Sequence, residues 1–381
     1  MHIRSVLLAC ALTLAARAAT AAIPEEMGVT KLPAPGPHWF WASDFTLFND
    51  VDGRAFLIDA DEGRLLGMLA TGVVFGKLDL PRDYRAIYSA ETYYSRGSRG
   101  ERTDVVSFYD PVSLDFTGEV IIPPRRQTGL LPPSVSALTD DDRYLIIYNF
   151  NPAQSVSVVD VGNRKFAGEI TTPGCALVYP SGPGRFGQLC QDGSWQTIEL
   201  RDDGTEAKRA QSKPFFDPMK DPLTEKGVRV GDRWYFASRG GQMYEVDVSK
   251  VAPSFTAPWS LVSDADRAAT WAGGGHQHLA IHARSGRLYS LMHKGGVDTH
   301  KDPGTEIWVY DLAKRNRVQR IVLEHPAVSI EVTQDDAPVL IIATATPILD
   351  VYDAVSGQHK RTIEDVGQTA LLIQAVPVKS R

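Results

Sequence analysis

Cysteine is scarce in this chain, with three in 381 residues, so a small fold stapled by several disulfides is excluded. Long apolar runs are scarcer still. One occurs, SVLLACALTLAA, behind the charged start MHIR and ahead of the small residues ARAATAA. That order of basic, apolar and small segments reads as a signal peptide over residues 1–22, with a run too short for a membrane span. No later run reaches spanning length, and a soluble periplasmic product with no membrane span is expected. Basic excess is missing as well. A net charge of -6 argues against nucleic acid as a partner, because phosphate binding calls for a basic stripe. The short clusters SRGSRGER (95–102) and PPRRQ (123–127) fit solvated loops, with a docking surface as the functional alternative for the first. The compact catalytic signatures are also absent: GxSxG, HExxH, a phosphate loop, CxxCH and an acidic calcium loop. No catalytic residue is assigned on this chain.

Removal of the signal takes Cys10 and leaves Cys175 and Cys190. Fifteen residues apart in an oxidising compartment, they are expected to be bridged and to clamp CALVYPSGPGRFGQLC as a hairpin. Such a closure contributes on the order of 3 kcal/mol. A redox-active pair is the alternative, and the spacing lacks the CxxC pattern.

What the chain does contain is a repeat. An alternating apolar strand ends in an acidic residue, turns, and returns as a second strand, from RAFLIDADEGRLLGML to ILDVYDAVSGQHKRTIED. The acidic position is Asp59, Asp110, Asp160, Glu199, Asp247, Asp311 and Asp353 in turn, recurring roughly every 50 residues. A further strand pair precedes most copies, and helical periodicity is nearly absent. Seven such units predict an all-β, seven-bladed propeller with four-stranded blades. The recurring aspartate reads as a turn-forming carboxylate. Only one strand, in HWFWASDF, precedes the first copy, and a spare strand, GQTALLIQAVPV, follows the last. The C-terminal strand is therefore expected to complete the first blade and close the ring. The domain reading is a signal peptide (1–22), an extended proline-rich arm (23–37) and the propeller (38–381).

The stretch GGGHQHLAIH (273–282) places His276, His278 and His282 at one parity. On a strand all three imidazoles would share a face, which raises a metal-site hypothesis. The alternative is a glycine turn leading into a strand whose histidines bond locally. A catalytic metal usually draws ligands from several elements, so no metal site is assigned.

The segments AETYYSRGSRGERTDVVSFYDPVSL (90–114), FNPAQSVSVVDV (150–161), PGC to QLCQDGS (173–194), WAGGGHQHLAIH (271–282), HKDPGTEIWVYD (300–311) and DVYDAVSG (350–357) closely resemble the heavy subunit of the quinoprotein amine dehydrogenases. That family includes the methylamine and aromatic amine dehydrogenases. The resemblance runs in order along essentially the whole exported chain. It implies a periplasmic assembly of two heavy and two light subunits that oxidatively deaminates primary amines and passes electrons to a blue copper protein, amicyanin or azurin. The cofactor, tryptophan tryptophylquinone, and the catalytic base are expected on the light chain, with none bound by this chain. The heavy chain, a seven-bladed propeller in the family, would scaffold the light chain and help to form the substrate channel. The family disulfide matches Cys175 and Cys190. An aromatic of the family's channel falls on FTLFNDVDGRAF, where Phe48 is the candidate and Asn49 its neighbour. The closing His282 is shared with the family, whereas His276 and His278 are not shared as a set. A stand-alone propeller, hydrolytic or lactonase-like or a binding scaffold, is the competing reading.

Overall fold

The computed structural model describes residues 31–45, 52–73, 76–129, 132–296 and 298–378. The expected signal peptide, most of the expected arm, and both Phe48 and Asn49 lie outside the described residues. Within them the chain is antiparallel β, with one five-residue helix, Asp264–Ala268, and one 3-10 turn, Pro133–Val135. No helix among the described residues is long and apolar enough to cross a membrane.

The expectation of seven separate four-stranded blades is overturned. The strands form six hydrogen-bonded sheets, four of four strands, one of five and one of eight, and no sheet closes on itself. The cause is a single strand, Asn316–Val332, 17 residues long. Its first half pairs with Gly304–Asp311 and its second with Val339–Thr344, so the copies carrying Asp311 and Asp353 share one sheet. Separate blades would require a break between these two units. Instead the register shifts around Pro326, whose missing N–H is accommodated there while the strand continues.

Apolar side chains on alternate positions face neighbouring sheets and fill the spaces between them. Trp195, Ile198 and Phe186 of one sheet pack with Trp234 and Phe236 of the next and with Val156 and Val158 of the one before. Phe40, Ile58 and Ile373 of the first sheet pack with Val339, Ile341 and Val351 of the last. Sheets packed face to face in sequence order, with the first against the last, make this an all-β propeller.

The C-terminal strand Ala370–Ala375 pairs antiparallel with Trp39–Asp44, with Phe40 opposite Ala375. Asp44 fixes that junction, its carboxylate accepting from the backbone N–H groups of Gln368 and Thr369 at 2.8 Å each. Leu32, in the described part of the arm, donates its N–H to the Val112 carbonyl and packs on the core beneath the first sheet. The repeated aspartates act as the turn chemistry requires. Asp59 accepts from the N–H of Asp61 and Glu62, Asp110 from Val112 and Ser113, and Asp353 from Val355 and Ser356. Asp160, Asp247 and Asp311 each take one such bond. Cys175 and Cys190 stand directly opposite each other in the hairpin Cys175–Gly182 and Arg185–Cys190, joined by a disulfide.

Candidate functional site

The sequence drew attention to GGGHQHLAIH, and the structure divides it. A strand begins only at Leu279, so the parity that would align His276, His278 and His282 does not operate. His282 lies at the far end of this strand, where Nε2 donates to the Asp335 carbonyl and Nδ1 pairs with the Ser285 hydroxyl. His276 and His278 belong to the loop before it. Gly275 has φ +114°, a left-handed value open to glycine, and a Cβ there would stand 2.7 Å from the Val328 carbonyl oxygen. That close approach lets the loop lie along the strand Asn316–Val332, where Gln277 forms a parallel bridge with Ser329. Among the described residues no group of three or more His, Cys, Asp or Glu side chains stands placed to hold a metal ion.

The loop forms one wall of a cavity of about 1050 Å³. Val328 and Leu371 contribute apolar wall, and Tyr148 and Gln154 face them from other sheets. The cations Lys226, Arg239 and Lys301 line the same space, with Glu225 as the acidic side chain. Lys226 is buried and donates to the Gly275 carbonyl at 2.8 Å. Burial pulls its pKa below the usual lysine value, opposed by Glu225 and assisted by Lys301 and Arg239. Behind the wall, His278 is fully buried and its Nε2 lies 3.2 Å from the Thr224 hydroxyl. That hydroxyl gives its own proton to the Ala237 carbonyl, so Nε2 is the donor in the histidine pair and Nδ1 carries the free lone pair. Burial first, then the charges of Lys226, His300 and His276, keeps the ring neutral. His300, on the cavity wall, is also pushed down by burial, with Arg239 and Lys226 acting the same way.

Phe45 packs against His276, a residue of the cavity wall. It is buried and meets the His276 ring edge-on, centroids 5.7 Å apart. Phe48 and Asn49 follow it in sequence, outside the described residues. A second cavity of about 440 Å³ takes the next residues of the same strands, Gln374 after Leu371 and Glu331 after Val328. The two spaces therefore succeed each other along the inner strands.

Gln277 separates them. Its amide N–H groups donate to Glu331 at 3.1 Å and to the Ile373 carbonyl at 3.0 Å, while its oxygen accepts from the Ile373 N–H. This one side chain ties the C-terminal strand to the long strand. The Glu331 carboxyl is pushed up to about 7 by burial, against the lowering effects of the Val332 N–H and Gln277. Raised from 4.5, it favours the folded state fully only while protonated. That contribution is present below about pH 4.5 and is lost as pH rises through about 7. Glu331→Gln should therefore gain stability over the parent above pH 7, by about 3 kcal/mol, and show little gain near pH 4.5. Urea midpoints at the two pH values would test this, and an equal difference at both would refute it.

Sequence reasoning raised a metal site at this loop without assigning it, and did not single out Gln277. Lys226 sits in none of the segments singled out in the sequence, and His300 opens one of them, HKDPGTEIWVYD, without being marked as a site residue; the two reach the same cavity only through the fold. The pattern GGG followed by a lone glutamine was the available signal for a backbone-hugging clamp.

Comparison with known proteins covers nearly the same span as the described fold. The family profile of the methylamine dehydrogenase heavy chain matches residues 40–376. The methylamine dehydrogenase heavy chain of Paracoccus versutus is 30% identical over 352 residues, 92% of this chain and 82% of that one. That of Methylophilus methylotrophus is 26% identical over 363 residues, 93% of this chain and 87% of the relative. Among solved structures, a putative 6-phosphogluconolactonase from Bacteroides fragilis aligns with a TM-score of 0.60 at 11% identity, covering 90% of this chain and 99% of that one. A functionally unknown protein from Desulfotomaculum acetoxidans aligns at 0.59 and 10%, covering 89% of this chain and 99% of that one. At such identities the likeness concerns the fold alone.

Proposed function

The chain belongs to the methylamine dehydrogenase heavy chain family, and from that premise we propose that it is the noncatalytic heavy subunit of a periplasmic primary-amine dehydrogenase. The observation that carries the reading is the match over residues 40–376, which takes in the sheets, the disulfide hairpin and the cavity loop together. In this reading residues 1–22 are a cleaved signal peptide, 23–37 an arm, and 38–381 the propeller. Two heavy and two light subunits assemble, and a cupredoxin, amicyanin or azurin, takes the electrons.

Tryptophan tryptophylquinone, on the light chain, supplies the carbonyl that captures the amine and the sink for its two electrons. This chain's own tryptophans do not fit such a group. Trp271 and Trp308 have ring centroids 5.2 Å apart, but Trp308 is buried and its indole N–H donates to Glu306 at 2.7 Å. The guanidiniums of Arg317 and Arg320 cover its ring at 4.0 and 5.0 Å, leaving a packed cation–π stack.

The part of this chain in the reaction is to shape the approach to the light chain. Phe48 and Asn49 are proposed beside the amine channel on the family resemblance alone. Phe48→Ala is expected to change the amine KM roughly tenfold in the assembled enzyme with little change in thermal midpoint. An unchanged KM would remove Phe48 from the channel. The broader test is co-expression with a light chain. The purified heavy chain should reduce no dye with methylamine or 2-phenylethylamine, and the assembled enzyme should reduce it with at least one. Dye reduction by this chain alone overturns the proposal.

A further inference from the structure

The charge of the larger cavity does not suit the substrate of an amine dehydrogenase. A protonated amine approaching Lys226, Arg239 and Lys301 meets three like charges against the single carboxylate of Glu225. The same charges suit an anion. We infer that this cavity is a binding site for a small organic carboxylate with an apolar body, a site separate from amine oxidation.

Three features support this. Lys226 is placed to serve as the anchor. Its side chain is buried, and after the bond to the Gly275 carbonyl its ammonium keeps two N–H donors for an anion. Burying that charge is costly, and a bound carboxylate would offset the cost as no neutral ligand could. The second feature is donor supply at the same wall. His300 has a buried Nδ1 with no hydrogen bond to a described residue, and Lys301 carries no ion pair to one. Arg239 is engaged through one guanidinium nitrogen, which lies 3.3 Å from Asp298. The third feature is the apolar part of the lining. Leu177, Val328, Leu371 and the half-exposed Phe150 add hydrocarbon to the lining of the same cavity, and about 1050 Å³ is ample for an aromatic acid. Cations and hydrocarbon lining one cavity suit a molecule with a charged end and an apolar body.

Benzoate, acetate and benzamide separate the contributions. Benzamide keeps the shape of benzoate and loses the charge, and acetate keeps the charge and loses the ring. Titration calorimetry on the full heavy chain at constant ionic strength should show saturable benzoate binding. Acetate should bind at least about tenfold more weakly and benzamide not measurably. Lys226→Met should weaken benzoate by at least about tenfold. Lys301→Met, at an exposed position, should weaken it by a smaller factor and guards against a folding defect in the first variant. Circular dichroism confirms that each variant is folded. Equal binding of benzamide and benzoate, no saturable benzoate binding, or unchanged affinity in both lysine variants would overturn the inference. Adding methylamine in excess should leave benzoate binding unchanged, and displacement by the amine would overturn the claim of a separate site.

Discussion

Asp104→Ala is expected to lower the unfolding free energy by about 3–5 kcal/mol, the largest loss foreseen for any polar substitution in this chain. The carboxylate is completely buried. Arg102 grips it with two bonds of 2.8 Å, the Thr92 hydroxyl donates at 2.8 Å, and the Arg126 backbone N–H donates at 3.1 Å. Arg126 is itself buried, its Nε donating to the Thr92 hydroxyl at 2.7 Å. Burial draws the Arg126 guanidinium down to about 10 while the Asp104 charge opposes that fall. Removing Asp104 leaves the Arg102 guanidinium without its bidentate partner and takes one opposing charge from the buried Arg126. Asp104→Asn keeps the shape but not the charge, and should recover only part of the loss. Urea unfolding of both variants would measure this. A cost under about 1 kcal/mol for the alanine variant would mean that water enters and replaces the carboxylate.

Trp195→Ala carries an effect of the same order by another route. Its side chain has no exposed surface and packs between Tyr179, at 5.4 Å between centroids, and Phe236, at 6.1 Å. Its indole N–H donates to the Thr197 hydroxyl at 3.1 Å. Truncation removes the transfer free energy of a large aromatic and leaves a cavity, together about 3–5 kcal/mol. The adjacent strand shows how closely this ring is accommodated. A Cβ on Gly187 would run into the Trp195 ring, so Gly187→Ala should destabilise through overpacking, by about 1–3 kcal/mol. Combining the two changes should cost less than the sum of each alone, because the alanine methyl would partly fill the space the indole leaves. Full additivity in denaturant titrations would contradict the assigned contact.

The sequence carried the propeller because its period is built into backbone chemistry. An aspartate whose side chain caps the next turn must recur wherever that turn recurs, and six of the seven positions bond as such turns require. Glu199 has one more methylene and takes no such bond among those described. The tail was legible because a lone strand at each end of a repeat array has only the other to pair with. The number of sheets was not legible. Proline at position 326 ordinarily argues for a break, and only the shifted register lets one strand serve two units. The histidines misled for a related reason, since alternation of faces is a property of strands and the residues that matter precede the strand. The cavity's cations come from segments as distant as Lys226 and Lys301, and no local pattern announces that the fold will bring them together. The disulfide, by contrast, closes a single hairpin, and its two cysteines are the only ones after Cys10, which left few other choices.

The strand Asn316–Val332 has a bearing on how the molecule opens. In most repeat arrays a neighbouring pair of units is joined by a flexible connection, and one can fray while the other holds. Here the backbone is a common beam. Its amides bond on one side to Gly304–Asp311 and on the other to Val339–Thr344, and Gln277 fastens the same beam to the strand that carries the C-terminus. Slippage in either half would have to be transmitted through a continuous peptide to the other half and to the seam between the chain's two ends. The weak point of a circular repeat, the place where its termini meet, is thereby made to share the fate of its most continuous element.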